Sequence, residues 1–476
     1  MSKFPREVLG ELITHQKGFA FKSKDYQETG IPVVRVSNFT DDSIDTSDLK
    51  FVSKEIANEN QKVALKTHDV IIATVGSWPK NPASIVGKTI CVPSEMNGGL
   101  MNQNSVILRV NSQCETDQKY LFIALKTKLF SEYLVSTAQG SANQASVTLS
   151  DIFSYEVEWP EPHIRRSIVS MIDSINQKIE LNRQTNQTLE QIAQAIFKSW
   201  FVDFEPTRAK AQVRASVAEG RIPGSDQNLP LDFSKEDEEK LVERAAMAAI
   251  SGKTPEELDQ LNPEQLKQLK NTAALFPDAL IDSELGEIPE GWEVKTFGEV
   301  SKCFDSKRVP LSKKKREEKK PGNIPYYGAT SVMDYLNEYI FDDIYLLLGE
   351  DGSVIKEDGS PFVQYIWGKA WVNNHAHVLQ GINNVSTEHL MIFIQSQNIA
   401  AFITGAVQLK LNQGNMNNIP FLDAGKKINN SFYKFISPLY EKVREISEEN
   451  KTLMDLRDAL LPKLLSGNLA INEVTI

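Results

Sequence analysis

Residues 186–197 read NQTLEQIAQAIF and residues 450–461 read NKTLMDLRDALL. The two segments align without gaps at a shift of 264 residues: Asn186, Thr188, Leu189 and Ala195 fall on Asn450, Thr452, Leu453 and Ala459, while Ile192 and Ile196 fall on Leu456 and Leu460. Identity and apolar pattern coincide, which predicts one helix written twice. Self-similarity at a fixed period governs a whole fold when it extends beyond one element, and here it does. MNQNSVIL from Met101 matches VNNHAHVL from Val372 at a shift of 271, and AQGSANQASVTLSDI from Ala138 parallels TGAVQLKLNQGNMNNI from Thr404 at about 265. VIIATVGS from Val70 stands beside IYLLLGEDGS from Ile344, each a β-rich run entering a glycine turn. Similarity between amphipathic helices in general accounts for the first match but not for loop matches in the same order.

The helical signal extends well beyond the repeated segment. From about 163 to 205, Ile172, Ile175, Ile179, Leu189, Ile192, Ile196 and Trp200 recur at three- and four-residue spacings with no internal proline. A second stripe from about 430 to 461 contains Phe435, Leu439, Val443, Ile446, Leu453, Leu456 and Leu460. Asn182 and Asn186 interrupt the first stripe and Asn450 the second, as polar residues do where they fix register at some cost in stability. A helix of about 40 residues is roughly 60 Å long, too long to bury against one small domain. The two stripes therefore predict an antiparallel pair with a β-rich globule toward each end. Strand-like runs such as IPVVRV from Ile31, SVILRV from Ser105 and FVQYIWG from Phe362 make both globules mixed α/β.

The expected organisation is a pseudo-twofold α/β (α+β) repeat. Residues 1–162 form one globule, 163–208 a long helix, 209–285 an acidic insertion or linker, 286–424 a second globule, 425–466 a second long helix and 467–476 a tail. Within the insertion, Thr254 and Asn262 each precede proline and acidic residues, the pattern of short capped helices.

At 476 residues the chain exceeds one hydrophobic core, and 41% apolar with 24% charged residues is ordinary for a soluble protein. No apolar run approaches the ~18 residues of a membrane span, and MSKFPREVLGELI has no signal-peptide h-region, so a cytoplasmic protein is expected. Cys91, Cys114 and Cys303 are odd in number and far apart, and read as reduced thiols. The net charge of -11 argues against a nucleic-acid partner until it is located. Residues 209–290 hold 17 acidic against 9 basic residues, so the rest of the chain carries only -3. Local basic patches can then face DNA.

Catalytic signatures are lacking. Gly87-Lys88-Thr89 resembles the end of a phosphate-binding loop, but Pro82 stands where its first glycine is required and has no N–H to donate. No GxGxxG follows a strand and no zinc-spaced Cys/His set exists; His375 and His377 share a strand face without an evident third ligand. The segment that holds an extruded adenine in DNA methyltransferases has no better match than NPAS at Asn81, and Glu350-Asp351 between Gly349 and Gly352 fits a turn better than a nuclease site. No metal or cofactor site is expected.

What remains is a set of polar loops at matching places. Asn102, Gln103 and Asn104, then Gln139, Ser141, Asn143 and Gln144, occupy the first globule; Asn373, Asn374 and His375, then Gln408, Lys410 and Asn412, occupy the second. Amides pair bidentately with adenine, and Arg or Lys with guanine. Arg35, Ser37 and Asn38 after a β run, and Trp78 with Lys80, are further candidates. KRVPLSKKKREEKK contributes Lys307, Arg308, Lys313, Lys314 and Lys315, suited to phosphate contacts that position without specifying, with Tyr327 just after it. Any one of these residues also suits an ordinary turn; recurrence in both halves favours DNA contact.

Several of these segments, with GIPVVRVSNF, KSWFVDFEP, LGEIPEGW, WVNNHAHVLQG and LRDALLPKLLSG, resemble the specificity subunits of type I restriction-modification systems over essentially the whole chain. The resemblance implies two target-recognition domains joined by an antiparallel coiled coil, each domain reading half of a bipartite double-stranded DNA site across an unread spacer. It further implies catalysis by partners: two methyltransferase subunits carrying S-adenosylmethionine and two restriction subunits using ATP and Mg. Outward apolar positions on the helices and the C-terminal LLPKLLSG would dock them. The competing readings are a self-contained adenine methyltransferase and a scaffold that binds no DNA.

Overall fold

The structure is a computed structural model describing residues 3–78, 86–141, 144–405 and 408–469. It divides into two compact units, Met1–Leu181 with Glu449–Ile476, and Asn182–Glu448. No helix among the described residues is long and apolar enough to cross a membrane.

The first unit is built on an antiparallel four-stranded sheet ordered Ile13–Lys17, Ser105–Val110, Val70–Ala73, Thr89–Cys91. Val70, Ile71, Ile72 and Ala73 are all fully buried, as expected for a central strand covered on both faces. A second sheet places Ile31–Val34 between Lys50–Val52, antiparallel, and Leu100–Met101, parallel. The second unit repeats both sheets. Ser301–Cys303, Ala376–Gly381, Tyr345–Gly349 and Val363–Ile366 form the antiparallel one. Ile324–Tyr327 pairs antiparallel with Val332–Leu336 and parallel with Lys369–Val372 in the other, to which Phe341–Asp342 adds a fourth strand. The repeat thus extends from the helices to strand order and direction.

Each long helix contributes to both units. The first, Pro162–Phe197, gives Ile168, Val169, Met171 and Ile172 to the core of the first unit, and Ala193 and Phe197 to that of the second. The second, Gly425–Leu465, gives Ile428, Phe432, Ile436 and Tyr440 to the second unit's core, and Leu464 and Leu465 to the first's. In the first unit, Asn450 Nδ2 donates to the Ile179 carbonyl at 3.3 Å and Arg457 Nη1 to Asn176 Oδ1 at 3.3 Å. Rising numbers on one helix meet falling numbers on the other, so the helices run antiparallel. In the second unit, Asn186 Nδ2 donates to the Val443 carbonyl at 3.2 Å and to Ser447 Oγ at 3.0 Å. Asn186 and Asn450 are equivalent at the 264-residue shift, as are Ile179 and Val443. One contact is therefore made twice, with the helices exchanging roles.

The first long helix continues past Phe197 and includes Trp200, the last residue of its apolar stripe. A π-helical turn, Lys198–Val202, carries Trp200 and Phe201 into the core, and Phe204 then takes a left-handed conformation (φ 54°). A new helix, Glu205–Ala218, starts with Pro206 in its first turn, where a missing N–H costs nothing. The 209–285 stretch is helical. Lys235–Ser251, Pro255–Asp259 and Pro263–Ala273 are capped by Ser234, Thr254 and Asn262. Ala246, Met247, Ile250, Leu269 and Phe276 join the second unit's core, so this stretch packs rather than links.

His389 lies deep in that core, 1% exposed, with rings of Phe197, Phe201, Phe421 and Phe432 around it. Neither ring nitrogen has a partner among the described residues. Burial lowers its pKa from 6.5 to about 3. The folded chain therefore refuses a proton that the unfolded chain accepts. The stability at stake is intact above pH 6.5 and is lost progressively as pH falls from 6.5 toward 3. His389→Phe is expected to flatten that acid limb in urea denaturation followed between pH 7 and 4; an unchanged pH dependence counts against the assignment.

Candidate nucleic-acid interface

In each unit the buried central strand hands its last backbone groups to two loops. In the first, Thr74 N–H donates to the Asn104 carbonyl at 2.9 Å, and the Thr74 carbonyl accepts from Val147 N–H at 3.0 Å. In the second, Glu350 N–H donates to the His375 carbonyl at 2.8 Å, and the Glu350 carbonyl accepts from Leu411 N–H at 2.8 Å. The loops that sequence reading paired are thus fastened to equivalent strand exits by equivalent bonds.

The second loop of each pair turns back on itself through a glycine. Gln139–Ser141 pairs with Gln144–Ser146, which continues onto Val75–Gly76. Gly140 has φ 153°, and a Cβ there would lie 2.1 Å from the Gln144 carbonyl oxygen. Gly405, φ 90°, would meet the Gln408 carbonyl oxygen at the same 2.1 Å. Only glycine fits either place. The backbone builds the loop and leaves its side chains outward: Gln103, Gln139, Ser141 and Gln144 are exposed in the first unit, and Asn374, His375, Gln408 and Lys410 in the second.

Beneath the second unit's loops lies a network of charges. Arg308, whose side chain is 10% exposed, pairs with Glu350 at 2.7 Å and Asp305 at 3.1 Å and donates to the Ala376 carbonyl at 2.7 Å. His377, 1% exposed, has Nδ1 on Asp305 at 2.5 Å and Nε2 on the Leu411 carbonyl at 2.8 Å. Burial alone would raise the Asp305 carboxyl; the His377 and Val378 hydrogen bonds and the Arg308 charge outweigh it and hold Asp305 below the usual range. Lys410 reaches Glu350 at 3.3 Å and His375 Nδ1 contacts Asp351. Cys303 completes a cluster with Asp305 and His377 whose ligand-type atoms lie within 4.8 Å of one another. Burial pushes its thiol up to about 12, and both His377 nitrogens already have protein partners.

Of the cationic stretch, Arg316, Lys319 and Lys320 pair with Asp334, Glu338 and Glu317. Lys313, Lys314 and Lys315 are exposed on the short helix Lys313–Glu318 and have no carboxylate partner among the described residues. Lys307 is exposed beside the Phe304 ring, 5.2 Å from its centroid.

Residues 6–191 and 289–452 match the family model described as the type I restriction modification DNA specificity domain. The chain belongs to this family. It is similar to the type I restriction enzyme HindI specificity subunit of Haemophilus influenzae, 28% identical over 90% of this chain and 94% of that one. It is also similar to the MjaIX specificity subunit of Methanocaldococcus jannaschii, 24% identical over 75% and 70%. A solved type I restriction-modification S subunit from M. genitalium aligns over 97% of this chain and 96% of its own, at 14% identity and a TM-score of 0.47.

Several residues singled out as DNA readers by their type instead hold this specificity-family fold together. Asn38 is 3% exposed; its amide donates to the Asp48 carbonyl at 2.9 Å and accepts from Arg35 N–H at 3.0 Å. The Arg35 guanidinium is tied to Asp48, leaving Ser37 exposed between them. Asn102, 8% exposed, donates to the Tyr26 hydroxyl, and the Asn104 carbonyl takes the Thr74 bond described above. Asn373, 3% exposed, accepts from His375 N–H at 2.8 Å. Asn412 caps helix Gln413–Asn417. Trp78 Nε1 donates to the Ser141 carbonyl at 2.7 Å and so braces the glutamine hairpin. Tyr327 is half-buried, its hydroxyl pushed up to about 12 by burial. Lys80 and Asn143 lie outside the described residues.

The expected docking segment LLPKLLSG is also committed inward. Leu464 and Leu465 are buried in the first unit and Leu460 and Leu461 pack against them, because the sheet of that unit needs an apolar cover. Ile192 and Leu456, equivalent at the 264-residue shift, stay exposed at 43% and 41%.

Sequence reading missed the network around Arg308, whose members come from four separate segments; the one local signal was the acidic pair after Gly349. Removing one partner from a buried ion pair leaves the others uncompensated. Arg308→Gln is expected to lower the unfolding free energy by about 3–5 kcal/mol in urea denaturation followed by tryptophan fluorescence; a loss below about 1 kcal/mol, the worth of an exposed pair, would show that the network carries no structural weight.

Proposed function

We propose that the chain is the DNA-recognition subunit of a type I restriction-modification complex, in which each unit's loop pair reads one half of a bipartite double-stranded DNA site. The observation that carries this reading is the repeated loop construction: equivalent backbone bonds and glycines present unlike side chains, Gln103, Gln139, Ser141 and Gln144 in one unit, Asn374, His375, Gln408 and Lys410 in the other. Such a scaffold supports two readers of different sequence. The outward amides suit adenine, and Lys410 suits guanine. Lys313, Lys314 and Lys315 contact phosphates and hold the second unit on the duplex without choosing bases.

The two long helices fix the unread spacer between half-sites, and their exposed Ile192 and Leu456 meet partner subunits. Two methyltransferase subunits bring S-adenosylmethionine and two restriction subunits bring ATP and Mg, so this chain directs chemistry that others perform. The assembly works in the cytoplasm.

Adenine-methylation sequencing of a host carrying the chain with its methyltransferase partners tests the division of labour. Gln139→Ala with Gln144→Ala should relax one half of a bipartite methylated motif and leave the other half unchanged. Neutralising Lys313, Lys314 and Lys315 should keep the motif while weakening all DNA binding, and should lower the slope of log affinity against log salt by about 0.9 for each phosphate that is no longer neutralised. Absence of any bipartite motif that depends on this chain, or equal damage to both halves by the glutamine pair, would refute the reading.

A further inference from the structure

A cleft of about 310 Å³ opens in the second unit between Asn186 and Glu190 of the first long helix, Tyr440 of the second, and Tyr365 and Trp367 at the end of a sheet. Nothing in the DNA reading uses it. Three aromatic rings form its walls: Tyr365 lies 5.7 Å from Trp367 and 5.4 Å from Tyr440, centroid to centroid. Two of its polar atoms have no partner among the described residues, and its one charged side chain is a carboxylate. The Asn186 amide is oriented by the Val443 carbonyl, which can only accept and so faces Nδ2. Oδ1 is left buried with no partner among the described residues, as is the hydroxyl of Tyr440, itself 1% exposed. Glu190 has no cationic partner among the described residues. The residue as a whole is exposed, yet its carboxyl is desolvated enough for burial to raise its pKa.

The nearby cation is already engaged. Arg444 stands 3.6 Å from Glu388 and donates to the Tyr365 hydroxyl, which in turn donates to Glu388 at 2.7 Å. That pair is neutral together, and Glu190 leaves the cleft a net negative charge beside aromatic faces. Aromatic faces with a carboxylate and a spare amide oxygen match a cation with N–H donors. Val363 and Met391 on the wall suit a methylene stem. The volume, at the small end of the ~300–1,000 Å³ usual for ligand pockets, admits one such head with its stem.

We propose that this cleft receives the guanidinium or ammonium head of an arginine or lysine side chain presented by a partner subunit. The proposal rests on the reading of the long helices as a docking surface. A protein partner fits better than a free polyamine, because the cleft offers one anionic end and not two.

The full chain is titrated with ethylguanidinium and n-butylammonium, and with ethylurea as the neutral control, following tryptophan fluorescence in the wild type and in Trp367→Phe. Saturable binding of the cations in the millimolar range, absent with ethylurea and weakened at least fivefold by Glu190→Gln, is expected. Glu190→Lys, which carries its own ammonium into the cleft, should abolish probe binding while keeping the thermal midpoint, and so separates a filled site from an unfolded one. With the cognate methyltransferase subunit, Glu190→Gln should weaken DNA-free association about tenfold and leave the methylated motif unchanged. Equal response to ethylurea, or probe binding indifferent to residue 190, overturns the site. Probe binding without any effect on association assigns it to a free cation and overturns the partner. If no methyltransferase association or bipartite motif exists at all, it is the functional reading that fails, while the cation titration still reports on the cleft.

Discussion

An asparagine amide set against a backbone carbonyl in an otherwise apolar seam fixes the register of the two long helices. Asn186 meets Val443 and Asn450 meets Ile179. Stripes of Ile, Val and Leu tolerate sliding by a turn, since one aliphatic contact resembles another. An amide does not, because displacement leaves a buried polar group without its partner at about 1–3 kcal/mol. Two such amides at equivalent positions act together, and only one antiparallel register satisfies both. Along the same helices Ile168 and Ile172 enter the first unit's core, and Phe432 and Ile436 enter the second's.

The recognition loops depend on a second constraint, the need to end a fully buried strand. Val70–Ala73 and Tyr345–Gly349 have no exposed side chain, so their exits lie at the edge of the core, where backbone groups still require partners. The two loops supply those partners, Asn104 and Val147 to Thr74, and His375 and Leu411 to Glu350. Because main-chain bonds and one glycine carry the geometry, the outward Gln103, Gln139, Gln144 and Asn374 side chains are released from structural work, whereas His375 and Lys410 also pair with Asp351 and Glu350. Base reading by direct hydrogen bonds requires that release, since a side chain already bonded internally has nothing to offer a base edge.

The same distinction explains what the sequence made legible. Repetition at 264 to 271 residues exposed the paired helices and the paired loops, because helices and short loops are local and survive in order along the chain. Which polar residue faces outward was not legible. Asn is at once an adenine reader, a helix cap and a turn former; Asn38, Asn373 and Asn412 serve the backbone and Asn102 the Tyr26 hydroxyl, while Asn374 stays exposed. Arg308 looked like one more member of a basic run; Asp305 is its near neighbour in the chain, but Glu350 and the Ala376 carbonyl come from distant segments, and that distance hid them. Apolar spacing carried the first long helix through Trp200, as the structure does, but the π-helical form of its last turn and the left-handed Phe204 follow from packing on Phe276 and Trp292, which no local pattern encodes.

Charge sets a limit on what the chain does by itself. The acidic stretch 209–290 belongs to the same unit as Lys313, Lys314 and Lys315, and a uniform field from it would repel DNA. Salt confines such fields to about 8 Å at physiological ionic strength, so phosphates near the lysine helix respond to its local charge. Within the basic stretch Arg308, Arg316, Lys319 and Lys320 have carboxylate partners, which leaves Lys307, Lys313, Lys314 and Lys315 as its cations without one among the described residues. Non-specific affinity grows with the number of phosphates neutralised, and amide loops add selectivity more than attraction.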